Sequence, residues 1–440
     1  MALISGMQAG SGKVLLYSIN FAPELTGIGK YNGEMVHWLT ARGYEVRVVT
    51  APPYYPQWQV PAGYSPVRYA REQWHGAQVW RCPVYVPRRV TGMKRLLHLM
   101  SFAISSLPVL VGQMFWRPDL CLVVEPPIVV SPMALLLAKL FRVKSWLHVQ
   151  DFEVDAAFEL GLLPNRGTLK RVVGGMESVM MRSFGIVSSI SEPMLRRLRD
   201  KKVPASRIRY FPNWVDLQAV RPLAEGEAGA LRAGIGCDAD EVVALYAGNM
   251  GEKQGLGVVL DAAELLRDHP RIRIVLCGDG STRSRLTERA MREQLTNVRF
   301  LPLQPAERLN ELLNVADIHL LIQKRKSSDL VMPSKLGGML ASGKCVLATA
   351  EQGTAIHAVM EASGAGKTIP PEDPALLAEA LRELADRAAF RRMAGQSARR
   401  YAERELGYDA VMEAFHQSVT EWGVNAGYES GKQSHSVESV

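Results

Sequence analysis

The segment VVALYAGNMGEKQGLGVVLDAAEL, residues 242–265, decides the fold. It opens with an apolar run, breaks at residues 248–254, and resumes with Leu256, Val259, Leu260 and Ala263 at the spacing of one helix face. That is a strand, a glycine loop and a helix. Such a turn leaves the first backbone N–H groups of the helix unpaired and facing the loop, where a phosphate can accept them and the helix dipole favours its charge. Lys253 adds a full positive charge within the loop. An ordinary βα turn that binds nothing has the same pattern, so the surrounding chain has to decide between the two.

Downstream the pattern repeats. Apolar runs at 242–247, 272–277, 298–301, 318–322 and 345–348 read as strands with helix-length material between them. Two loops stand at strand ends: Gly278-Asp279-Gly280, and residues 323–334, which hold Lys324, Arg325 and Lys326 with Asp329 as their only acid and run into Lys335. A basic run of this kind is commonly a solvated face. A helix starting near Pro333 and Ser334 would instead point its N-terminus and Lys335 at a diphosphate. Residues 408–422 read as a lone amphipathic helix after the sheet pattern ends.

Upstream, residues 13–20 (KVLLYSIN) are a β-rich run, followed by a loop with Gly27 and Gly29. Ile28, Tyr31, Met35, Trp38 and Leu39 then mark one helical face, Gly43 stops it, and residues 44–50 are the next strand. This βαβ unit makes the sheet parallel and places ligands at the carboxyl ends of its strands. The loop is TGIG, and the residue six after Gly27 is Gly33, so no dinucleotide fingerprint is present. Further strands are expected at 120–124, 145–150 and 186–190. The second of these ends in HVQD, which puts His148 and Asp151 at a strand's carboxyl end, although a lone interior His is more often a satisfied core residue. The alternation breaks after residue 211. The expected organisation is therefore a first domain at 13–211, a linker at 212–236, a second domain at 237–407, a helix at 408–422 and a polar tail at 423–440.

A chain of 440 residues with 47% hydrophobic and 22% charged residues suits two α/β domains of roughly 200 residues each. Cys82, Cys121, Cys237, Cys277 and Cys345 are scattered without metal-site spacing, and read as buried reduced thiols of a reducing compartment. No basic region precedes the first apolar residues, so no cleaved signal peptide is expected. The net charge of +8 is uneven: residues 73–118 contain no acid, while Arg81, Arg88, Arg89, Lys94, Arg95 and Arg117 are basic. Within that segment residues 97–116 carry no charged side chain, over a length that just reaches across a bilayer of ~30 Å. Its serines, Gln113, His98 and Pro108 make a poor spanning helix. Two readings remain: a helix at 88–116 lying on the inner membrane surface with its basic lead-in on anionic headgroups, or a helix buried against the sheet. Nucleic-acid binding is disfavoured, because the basic residues lack interleaved stacking aromatics.

Taken in order, the PELTGIGKY loop, HVQD, SSISEPMLRRL, RIRYFPNWVD, YAGNMGEKQGLGVVLDAA, CGDGSTRSRL and PSKLGGMLASGKCVLAT resemble the GT-B glycosyltransferases of family four, across about residues 13–422. They are most similar to the colanic-acid-type exopolysaccharide transferases, a fucosyltransferase branch. The resemblance implies two Rossmann-like, doubly wound parallel-sheet domains facing a cleft, with the terminal helix crossing back to the first domain. It implies a retaining enzyme that uses a nucleotide-sugar donor and neither a metal nor another cofactor. Gly27 and Gly29 would border the diphosphate and the reacting sugar, and His148 would contact that sugar. Asn249, Lys253, Ser334 and Lys335 would serve the diphosphate, and Gly278, Gly280 and Gln304 the nucleoside.

Two departures from the family pattern bear on these assignments. Asn249 and Gln254 stand where many members place an Arg and a Lys, with Lys253 displaced by one residue. The Glu-x7-Glu signature is absent, Leu330 and Gly338 occupying its positions, so the glutamate contact to ribose is lost and Lys335 is the candidate for the missing charge. Fixed cations suit the chemistry, since breaking a glycosyl–diphosphate bond develops negative charge on the leaving group. No close carboxylate pair of the kind retaining hydrolases use is evident. His148 and Asp151 are candidates for positioning or proton handling. The expected reaction transfers sugar, with GDP-fucose favoured and a UDP-sugar as alternative, to a lipid-linked saccharide at the cytoplasmic membrane face. A nucleotide-sugar epimerase and a non-catalytic membrane-peripheral scaffold are the competing readings.

Overall fold

The computed structural model describes residues 12–88, 91–124, 127–152, 167–224, 226–238, 240–325 and 333–424. Expectations that fall on Arg89, Lys326, Asp329, Leu330 and most of the polar tail lie outside them. The chain divides into two compact units. One holds the chain to Ser188, Arg199–Arg209 and the chain from Met412; the other holds Ser189–Leu198 and Tyr210–Val411.

The first unit is built on β1 (Lys13–Ser18), β2 (Glu45–Thr50), β3 (Ala70–Trp74), β4 (Ala77–Arg81), β5 (Leu120–Val124), β6 (Lys144–Val149), β7 (Ile186–Ser189) and β8 (Ile208–Tyr210), in the order β3-β4-β2-β1-β5-β6-β7-β8. β1 pairs in parallel with β2 and β5, and β5 with β6. The β3–β4 hairpin is an addition to the expected strands. His75 and Gly76 both take positive φ, the two-residue turn that matches strand twist, but the polar residues of REQW and AQVWR hide the strands from a search for apolar runs. Beyond Met412 the helix Tyr408–Glu421 packs here, burying Met412, Phe415 and Val419.

In the second unit β9 (Val242–Ala247), β10 (Ile272–Cys277), β11 (Val298–Leu301), β12 (Ile318–Leu321), β13 (Cys345–Thr349) and β14 (Gly366–Ile369) form a parallel sheet ordered β11-β10-β9-β12-β13-β14. Both faces are buried, as an all-parallel sheet requires. Val242, Ala244 and Tyr246 pack on one side with Val259, Leu260 and Leu286, while Val243 and Leu245 pack on the other with Leu231, Val275 and Leu312. Leu231 belongs to the helix Gly229–Gly234, so the segment 212–236, read as a linker, is packed into this unit. A bridge from Val215 to Gly407 ties it further, with Val215 N donating to Leu406 O at 2.8 Å. All five cysteines are buried and unpaired.

The apolar segment of the first unit is the helix Gly92–Met114, which is long and apolar enough to cross a membrane by length and composition. Its inner face, however, is a fitted protein contact. His98, Leu99, Phe102, Ser106, Leu110, Gln113 and Met114 are buried; Ser106 Oγ shares a hydrogen with Tyr17 Oη at 2.7 Å, and Arg47 donates to Gln113 Oε1 at 3.1 Å. Its outer face exposes Met93, Leu96, Leu97, Met100 and Ile104. The buried-helix reading thus describes the inner face of this segment, while its outer face is exposed and apolar.

Arg81, 1% exposed, is the polar centre of the carboxyl edge of this sheet. Its guanidinium donates to Glu72 Oε1 and to the carbonyl oxygens of Ala51 and Ala22, which joins the loops after β1 and β2 to the edge hairpin. Arg81→Leu leaves two buried carbonyls and a carboxylate without their donor, and is expected to cost about 3 kcal/mol in urea unfolding. A loss under about 0.5 kcal/mol, the range of an ordinary surface change, would show that these loops hold without it.

Candidate active site

In the second sheet β9 lies between β10 and β12, so the strand order reverses on either side of β9 and a crevice opens outside the carboxyl ends of β9 and β12. The loop after β9 begins Gly248-Asn249-Met250, and that after β10 is Gly278-Asp279-Gly280. Gly248, Gly278 and Gly280 all take positive φ. A Cβ on Gly278 would lie 2.0 Å from Gly248 O, and one on Gly280 would lie 2.5 Å from Asn249 Oδ1. These glycines therefore let two loops lie backbone against backbone, with Met250 N donating to Asp279 O at 2.7 Å. Asn249 is exposed at the rim. Gln254 turns inward instead, its Oε1 accepting from Gly251 N at 3.1 Å, so it braces the loop. Lys253 is exposed and contributes its carbonyl to Lys324 N at 3.2 Å. Gln304 follows β11 and donates to Pro302 O at 3.0 Å.

Lys335 is the unusual member. It opens the short helix Lys335–Ala341 beyond β12, while Ser334 before it is exposed and makes no side-chain cap. The Lys335 chain passes Gly248, and its Nζ sits 3.9 Å from the centroid of the Tyr246 ring. That Nζ is shielded from solvent and has no hydrogen-bond partner among the described residues, although a lysine ammonium carries three donors. The face of an aromatic ring attracts a cation but accepts none of those protons. Tyr246 is locked beneath it, its hydroxyl donating to Asn249 O at 2.6 Å. Burial lowers the Lys335 pKa to about 7. A desolvated cation at the crevice of a doubly wound sheet is an unfinished contact of the kind an anion can complete.

The first unit has its own carboxyl-edge constellation. Gly27 takes positive φ beside the Tyr55 ring. A Cβ on Gly29 would lie 2.3 Å from Glu24 Oε2, so that glycine makes room for a buried carboxylate. Glu24 accepts from Tyr54 N at 3.1 Å, Tyr55 N at 3.0 Å and Asn20 Nδ2 at 3.0 Å, clamping the loops after β1 and β2 together. Burial raises its pKa and those hydrogen bonds oppose the rise. His148 is buried near the end of β6, where burial pushes its pKa down to about 3 and keeps the imidazole neutral. Asp151 follows two residues beyond the strand and is partly buried. Gly27 and Gly29 thus stand at β1, and His148 and Asp151 at β6, with β5 between those strands. Among the described residues no three His, Cys, Asp or Glu side chains gather into a metal cage.

Residues 26–214 match the family described as glycosyl transferase 4-like domain, and residues 229–401 match glycosyl transferases group 1. The chain is 42% identical to WcaI of Escherichia coli (strain K12), named as a colanic acid biosynthesis glycosyl transferase, over 92% of this chain and 98% of that protein. Sucrose-phosphate synthase from Thermosynechococcus elongatus superposes with a TM-score of 0.70 at 16% identity, covering 93% of this chain and 99% of that one. HepE of Anabaena, in complex with UDP, gives 0.67 at 13% identity over 93% and 100% of the two chains. Likeness at that identity speaks for the fold, which is GT-B. The chain belongs to the glycosyltransferases of this two-domain family and is an enzyme of that class.

Tyr246 and Glu24 are site-edge residues that sequence reasoning passed over. Tyr246 reads as one more apolar strand residue, and Glu24 as a loop acid, until the structure places them under Lys335 and under Gly29. The unfinished state of Lys335 has a measurable consequence. In the folded chain it loses its proton near pH 7 but in the unfolded chain only near its ordinary value, so its burial costs most below pH 7 and less as pH rises toward about 10. Lys335→Met is expected to stabilise the ligand-free protein in urea unfolding, with the gain larger at pH 6 than at pH 9. A destabilised variant, or a gain that grows with pH, would mean that the ammonium has a partner.

Proposed function

We propose that this glycosyltransferase moves a sugar, with retention of configuration, from a nucleotide-diphosphate donor to a lipid-linked saccharide in bacterial exopolysaccharide synthesis of the colanic-acid type. The observation that carries the donor half is Lys335: a buried ammonium with no acceptor among the described residues, at the crevice between β9 and β12, framed by the Gly248 loop. Cleavage of the glycosyl–diphosphate bond develops negative charge on the leaving oxygen. A fixed cation in a water-poor site stabilises that charge without reorganising. The same charge is met without a metal, and the donor phosphate itself assists deprotonation of the acceptor on the face from which it departs. Gly27, Gly29, His148 and Asp151 then serve the sugar side, and Asn249, Lys253, Ser334, Lys335, Gly278, Gly280 and Gln304 the nucleotide side. GDP-fucose is the favoured donor, by likeness to the colanic-acid branch; a UDP-sugar is the alternative that the UDP complex of HepE supports.

The acceptor half rests on the helix Gly92–Met114. Its outer face is a continuous apolar row of Met93, Leu96, Leu97, Met100 and Ile104, with Arg88 and Lys94 at its basic beginning. That arrangement suits a helix lying in the headgroup region of an anionic leaflet and held to its protein by the other face. The enzyme accordingly works as a peripheral protein at the cytoplasmic face of the inner membrane, where a lipid-linked acceptor is presented.

Two measurements test these halves separately. Thermal shifts with GDP, UDP, ADP and TDP, each with and without EDTA, are expected to show one preferred nucleotide, worth about 2.7 kcal/mol at 100 times its dissociation constant, unchanged by EDTA and lost in Lys335→Met. A shift with none of the four would favour a non-catalytic scaffold. For the membrane, the double variant Met100→Asp, Ile104→Asp is expected to lower sedimentation with phosphatidylglycerol vesicles at least about tenfold while leaving the melting temperature in place. Equal sedimentation of variant and wild type would take this helix away from the bilayer.

A further inference from the structure

Beneath His148 lies a buried chain of hydrogen bonds that no part of the site has yet used. Trp146 and His148 are two residues apart on β6 and so project from the same face of the sheet. Ser188, on the neighbouring β7, is 0% exposed and meets both: its Oγ is 2.8 Å from Trp146 Nε1 and 2.9 Å from His148 Nδ1. The indole N–H can only donate. Ser188 Oγ therefore accepts from Trp146, and its own hydrogen still needs an acceptor. Among the described residues the one other polar atom at hydrogen-bond distance is His148 Nδ1. If Nδ1 carried a proton, the serine hydroxyl would be left buried with nowhere to donate, a cost of about 1–3 kcal/mol.

The geometry points to Ser188 and Trp146 as positioning residues that hold His148 in the form protonated at Nε2 and bare at Nδ1. In that form His148 is a fixed hydrogen-bond donor and has no basic nitrogen to offer at Nε2. Resting on the reading that His148 faces the donor sugar, its task is to donate to an oxygen of that sugar, not to accept the acceptor's proton. The indole that starts the chain is itself held from behind. Its ring packs against Phe415 at 5.1 Å and Trp422 at 6.4 Å, and a Cβ on Gly185 would lie 2.4 Å from the Trp422 ring. The C-terminal helix thereby seats the first link.

The tautomer is read directly by long-range proton–nitrogen correlation spectra of the full chain labelled with 15N-histidine, the His148 signals being assigned by their loss in His148→Gln. The expected signature is a pyridine-type Nδ1 and a pyrrole-type Nε2. Ser188→Ala is expected to average the two and to lower kcat/KM about tenfold, the worth of one well-placed hydrogen bond, while Ser188→Thr restores both. A pyrrole-type Nδ1 in the wild type, or nitrogen shifts that Ser188→Ala leaves in place, overturns the inference. Glutamine can donate from the Nε2 position, so His148→Gln should keep substantially more transfer than His148→Ala; equal and complete loss in both would restore a base. Full transfer by His148→Ala would instead remove His148 from the reaction, a failure of the site reading that the spectra distinguish from a failure of the tautomer.

Discussion

Parallel strands buried on both faces confine polar chemistry to their ends. In the second unit the sheet interior is largely apolar, its side chains alternate between two buried layers, and the loops at the carboxyl edge are the places where backbone groups and charges can meet a ligand. The glycines follow from this constraint. Gly278 and Gly280 are needed because the loops after β9 and β10 leave adjacent strands and must pass at van der Waals distance. Gly29 is needed because Glu24 crosses beneath it to reach the amides of the neighbouring loop.

Most of the sheet was legible because its strands are apolar runs bounded by glycine, and parallel pairing makes that pattern strong. The misses share a physical cause. The β3–β4 hairpin lies at a sheet edge, where its strands are largely polar and only the positive-φ pair His75-Gly76 marks the turn. The segment 212–236 has turn residues of the kind that mark linkers, yet its Leu231 fills a cluster under β9 and β10. Periodicity over so short a helix is too weak to read. Residue type and order placed Gly278 and His148 at carboxyl ends of strands and Lys335 at the start of a helix, where the structure has them, but Ser188 carries no signal of its own. A serine in a strand becomes informative only when the neighbouring strand sets a donor-only indole and an imidazole against it.

The helix Gly92–Met114 shows why composition alone leaves such a segment undecided. Mean hydropathy averages two faces that obey different rules. The inner face carries Ser106, Gln113 and His98, which meet Tyr17, Arg47 and the Tyr85 carbonyl in the protein, contacts that a bilayer would not supply. The outer face carries large apolar side chains that water would leave costly. A helix so divided sets one face in the protein core and leaves an apolar face exposed, the arrangement on which the proposed membrane contact rests.

The placement of charge at the second site follows a spatial logic more than a sequential one. A diphosphate leaving group needs positive charge near its oxygens, and what matters is where the cation arrives, not which element carries it. Here the loop after β9 offers Asn249 at the rim and Gln254 folded inward, while Lys253 is exposed to solvent, where its charge is screened. Lys335 comes from the neighbouring side of the crevice and passes Gly248, placing its ammonium over Tyr246 and out of water. One desolvated cation exerts a stronger field on a bound diphosphate than an exposed one at equal distance. Its burial also costs stability, a cost that a bound anion would offset on the proposed reading. On the proposed reading, the buried position of Lys335 compensates for a loop poor in cations and ties electrostatic stabilisation of the leaving group to occupancy of the site.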